Sequence, residues 1–101
     1  MDRKMMQQLQ QMQTKLVKAQ EELGNTEVEG TAGGGAVKVT MNGHRELRGL
    51  EIAPEAVDPD DVETLQEMIV AAFNDASKKA QDLSESKLGG LTGGMKIPGL
   101  F

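Results

Sequence analysis

The chain has no cysteine, tryptophan or tyrosine, and only two phenylalanines, three prolines and one histidine. Without cysteine there can be no disulfide and no thiolate metal site, a composition that a reducing cytoplasm permits. With aromatics this scarce, the side chains that usually fill a core are few, and a lone copy of 101 residues is expected to be modestly stable. No apolar run reaches the length of a membrane span and the N-terminus shows no secretory pattern, so a soluble protein inside the cell, with no membrane partner, is expected. His44 stands alone at a turn, too isolated for a metal site or a triad. Ser77, Ser84 and Ser86 have no usable histidine as a base, so neither an enzyme nor a cofactor or small-molecule substrate is expected.

What the chain does have is a strong seam near its start. Met5, Leu9, Met12, Leu16, Ala19 and Leu23 recur at alternating steps of four and three, and no Pro or Gly interrupts residues 3–23. One amphipathic helix follows. Seven methionines, several of them on this helix, suggest an apolar surface that packs against something, most simply a second copy through Met5, Leu9, Met12 and Leu16. On another face, Lys4, Gln8, Gln11, Lys15 and Lys18 fall in one narrow stripe, about a quarter turn from the seam, with Arg3 to the side. Such a stripe is either a solvated face or a strip that meets phosphate.

Formal charge is −5, yet it is unevenly spread. Residues 3–20 hold four basic residues and no acid, while residues 25–70 hold three basic and ten acidic residues. Phosphate responds to the local field of a face, so an acidic chain with a basic end stays a nucleic-acid candidate.

Beyond Gly24-Asn25 the period changes from helix to strand. Residues 27–31 read as a poorly apolar edge strand, and Gly33-Gly34-Gly35 as a turn, since a strand and not a helix follows it. Val37, Val39 and Met41 alternate inward on the best strand of the chain. A two-residue Asn42-Gly43 hairpin would set these against Glu46 and Arg48, so a longer turn over 42–45 or a bulge near Gly49 is expected, with Leu50 and Ile52 sharing the inner face. Asp58-Pro59 reads as the cap of a second helix running to about Lys87, with Val62, Leu65, Ile69, Ala72, Ala76 and Leu83 on one side. Lys78 and Lys79 lie on it beside Asp75 and Asp82, which offset much of their charge. The expected organisation is a single α+β domain over 1–88 and a Gly-rich flexible tail over 89–101, whose apolar residues serve docking or are plain disorder.

The string Val28-Glu29-Gly30-Thr31-Ala32-Gly33-Gly34-Gly35-Ala36-Val37-Lys38-Val39, then Ile52-Ala53-Pro54-Glu55, Asp58-Pro59, Ala71-Ala72-Phe73-Asn74-Asp75-Ala76 and a late Pro98-Gly99, resembles the YbaB/EbfC family of bacterial nucleoid-associated proteins. The resemblance covers nearly the whole chain. It implies a helix, a three-stranded antiparallel sheet and a helix, in an intertwined homodimer whose protruding arms grip double-stranded DNA in the nucleoid. The leading expectation is therefore a dimer that binds duplex DNA with little sequence preference. Carried onto this sequence, the DNA-contacting candidates are Arg3, Lys4, Lys15 and Lys18, with Lys78, Lys79 and Lys87 as lesser ones. The alternative is a protein-interaction module that meets recombination or replication machinery without touching DNA.

Overall fold

The computed structural model describes residues 2–91, in the order helix, three strands, helix. Helix α1 spans Arg3–Asn25 and α2 spans Val62–Leu91; between them lie β1 (Glu27–Ala32), β2 (Val37–Asn42) and β3 (Leu47–Ile52). The strands form one antiparallel sheet in the order β1-β2-β3. The longest dimension is 70 Å, against 23 and 17 Å across. A chain this small reaches that length because α1 projects from the body.

The period-two pattern of β2 decides the core. Val37, Val39 and Met41 are buried, and the register sets Ala32, Gly30 and Val28 of β1 beside them on the same face. Helix α2 crosses this face through Ala72 and Ala76, with Leu65, Met68 and Ile69 at the margins. The approach is very close at Gly30, where a Cβ would stand 2.3 Å from both the Ala72 carbonyl oxygen and the Ala76 nitrogen. Small residues on both partners thus stand in for the missing aromatics: helix and sheet meet backbone to backbone instead of through large side chains.

The edge of β1 is covered by side chains of α2. The Thr31 N–H donates to Asp75 Oδ2 at 3.1 Å, and Lys79 Nζ donates to the Glu29 carbonyl at 2.9 Å, while Lys79 and Asp75 pair with each other at 3.3 Å. Backbone groups that would otherwise template another strand are occupied. The Thr31 N–H, followed by Lys79, holds the Asp75 carboxyl below its ordinary range.

Between β2 and β3 both expected irregularities are present. The chain turns over Gly43, His44 and Arg45, with Arg45 at φ 62°. Thr40 pairs with Gly49 but Met41 with Leu47, so Arg48 is an extra residue that restores the apolar register. Helix α2 starts later than its Asp-Pro signal implied: Asp58 accepts from the Asp60 N–H in a local turn, and Asp61 caps the helix by accepting from the N–H and hydroxyl of Thr64. It also ends later, running through Gly89-Gly90 to Leu91. The tail expected at 89–101 lies, from residue 92 onward, outside the described residues.

Candidate nucleic-acid interface

Helix α1 forms because a 3.6-residue period runs unbroken from end to end, and Asp2 starts it by accepting the Met5 N–H at 2.7 Å. Its seam is used unequally. Ala19 and Leu23 are buried against Leu83, Leu88 and Leu91 of α2. Met5, Leu9, Met12 and Leu16 stay 51, 54, 50 and 43% exposed. The last two turns root the helix and the first four carry it into solvent.

The root is clamped by the β2–β3 turn, which supplies donors to the carbonyls that end every helix. The Gly43 N–H donates to the Leu23 carbonyl at 2.8 Å, and Asn42 Nδ2 to that of Gly24 at 3.1 Å. His44 Nε2 meets the Gln20 carbonyl at 2.9 Å, and Arg48 reaches Gly24 at 3.4 Å. Asn42 is fully buried and is satisfied on every side: its Nδ2 also donates to Glu46 at 2.7 Å, and its Oδ1 accepts the N–H groups of His44 and Glu46 at 3.0 Å each. Gly43 lies against Leu23 so closely that a Cβ would be 2.7 Å from the leucine oxygen. Lys87 adds an ion pair to Glu22 at 2.9 Å across the two helices. That hydrogen bond and charge, with a smaller push from Lys18, hold the Glu22 carboxyl below its ordinary range.

The seven basic residues selected from sequence therefore divide. Arg3, Lys4, Lys15 and Lys18 stand exposed on the arm, and among the described residues none has a carboxylate within ion-pair distance. Lys78 pairs with Asp82 at 3.8 Å, Lys79 is engaged at the sheet edge, and Lys87 at the root. Surface pairs of this kind are weak, but they cancel much of the local field. Of the seven, the four on the arm are the ones without an ion pair among the described residues.

Among the described residues no group of His, Cys, Asp or Glu could hold a metal ion, and no helix is long and apolar enough to cross a membrane. The sequence matches the model of the YbaB/EbfC DNA-binding family over residues 1–95. The chain belongs to that family. Its relatives include a nucleoid-associated protein of Roseiflexus sp. (strain RS-1), 63% identical over 97 residues and covering 96% of each chain. Another, a nucleoid-associated protein of Pelotomaculum thermopropionicum, is 61% identical over 98 residues, covering 97% of this chain and 93% of its own. The fold also matches the crystal structure of an uncharacterized protein from Helicobacter pylori, with TM-score 0.77 and 26% identity, over 91% of this chain and 98% of that one. YbaB/EbfC is a DNA-binding family and not an enzyme family.

Two features of the site escaped the sequence. The clamp at residues 42–44 joins positions some twenty residues apart, and the Asn-Gly pair signals a turn without showing what the asparagine holds. Leu47 and Leu50 are also left uncovered, because α2 packs on β1 and β2 and leaves β3 open. In sequence these residues look like ordinary core positions.

Proposed function

We propose that the chain is a nucleoid protein of the bacterial cytoplasm that binds duplex DNA as a homodimer with low sequence preference, through the basic stripe of α1. The observation that carries this reading is the set of four cations on a projecting helix, free of carboxylate partners among the described residues. In a twofold pair the four become eight, enough to displace counterions from several phosphates at once. Uncovered apolar residues favour pairing: the arm seam of Met5, Leu9, Met12 and Leu16, and Leu47 and Leu50 on the open strand β3. Lys78, Lys79 and Lys87 contribute less, because each must leave a carboxylate to meet a phosphate.

With eight contacts, affinity falls by about four orders of magnitude between about 50 and 200 mM salt. Titration of a duplex at these two salt levels tests the reading, and an absence of binding at the lower one refutes it. The same apolar surfaces support a second reading, docking of a recombination or replication protein. That reading gains if the chain sediments as a monomer and fails to bind DNA.

A further inference from the structure

The stripe on α1 is not uniformly basic. Lys4 lies near one end and Lys15 and Lys18 near the other, about 21 Å apart along the axis from first to last. Between them, on the same line, stand Gln8 and Gln11. Both are exposed, they are one turn apart, and among the described residues neither side-chain amide has a hydrogen-bond partner. A helix with side chains is about 10–12 Å across, and the major groove of duplex DNA is about 12 Å wide. A helix seated there places cations at its two ends against phosphates on the groove walls. The side chains midway along the same line then face the floor.

We propose that Gln8 and Gln11 read base edges in the major groove and bias binding toward adenine. The inference rests on the proposed duplex grip of α1. A primary amide carries a donor and an acceptor side by side, the complement of the adenine N6 amine and N7, whereas the guanine edge offers two acceptors and suits Arg or Lys. The phosphate contacts give affinity without sequence information, and the two amides add a modest preference on top of it. The loose specificity of the arm then has a physical origin: two readers per arm, against four cations indifferent to sequence.

The test compares three duplexes of equal length at fixed salt: A·T-rich, G·C-rich, and A·T-rich with every adenine replaced by 7-deazaadenine. The analogue keeps base pairing and the minor-groove edge but lacks the N7 acceptor. The native chain is expected to prefer the first duplex to the other two by about tenfold. In the double variant Gln8→Ala, Gln11→Ala the ratio falls toward one, while the salt dependence, which counts phosphates, keeps its slope. Gln13→Ala, on the opposite side of the helix, retains the ratio. Circular dichroism checks that each variant stays folded. Equal affinity of the native chain for all three duplexes overturns the inference and leaves the duplex grip standing, as does a preference that survives the double variant. Failure of the native chain to bind any of them at low salt overturns both.

Discussion

Gly30→Ala adds one methyl group at the closest contact of the fold. The new Cβ would sit 2.3 Å from the Ala72 oxygen and the Ala76 nitrogen and 2.8 Å from the Ala76 Cα, where ordinary contact begins at 3.4 Å. These are backbone atoms of a helix, so no rotamer change relieves them. Helix α2 must instead back away by about 1 Å, loosening its contacts with Val37, Val39 and Met41 together. Overpacking a tight core costs about 1–3 kcal/mol, and the rigidity of this contact puts the expected cost at about 3. For a domain of this size that lowers Tm by roughly 12–24 °C, out of a total stability of roughly 5–15 kcal/mol. Thermal denaturation followed by circular dichroism measures it, at one protein concentration, because any self-association shifts Tm. Gly49→Ala is the matched control: it lies in the same sheet, but its Cβ would come no closer than 3.9 Å to Thr40. Removing a flexible glycine from a strand there should be neutral or slightly stabilising. Equal melting of Gly30→Ala and the native chain would refute the claim that small residues set the distance between helix and sheet.

Three further outcomes are expected. The pair Lys15→Glu and Lys18→Glu should weaken duplex binding strongly and make its salt slope shallower by about 3 to 4 in a dimer, whereas Lys38→Glu, on the open sheet face, should change it little. Asn42→Asp removes the donor to Gly24 and sets a buried carboxylate beside Glu46, so a loss of about 2–4 kcal/mol is expected, seen as faster amide exchange over residues 20–26. Glu22, held by Lys87, and Asp75, held first by the Thr31 N–H and then by Lys79, both have carboxyls below their ordinary range, so these contacts stabilise the fold above the unfolded pKa and that stability is lost as pH falls through the folded values. Melting temperature should therefore hold from neutral pH to about 5 and drop below about 4, and Glu22→Gln should flatten part of that drop.

The elements of the fold were legible because each rests on a local signal. The seam of α1, the alternation of β2 and the mismatch that demanded an irregular β3 are all periodicities, and periodicity survives in one dimension. The cap of α2 was misplaced by three residues because Asp58-Pro59 and Asp61 offer competing signals, and a carboxylate three residues before Thr64 won. The stripe of cations on α1 was legible for the same reason as the seam. Which lysines are free was legible only for neighbours on one helix: the pairing of Lys78 and Lys79 with Asp82 and Asp75 follows from i,i+4 spacing, but that of Lys87 with Glu22 depends on how two helices meet. Likewise the exposure of Leu47 and Leu50, which share the inner face with Met41 and Val39, is a property of where α2 crosses the sheet, which no local pattern records.

Within one copy α1 is held only by its last turns, so a tilt of the arm there would pivot near Leu23. Lys18 and Lys15 lie about 8 and 12 Å from that fulcrum, and Lys4 about 28 Å. A tilt of about 10° would swing Lys4 through about 5 Å while Lys18 travels little more than 1 Å. Under such a tilt the inner lysines keep a nearly fixed bearing, while the outer pair, Arg3 and Lys4, shifts by several ångströms.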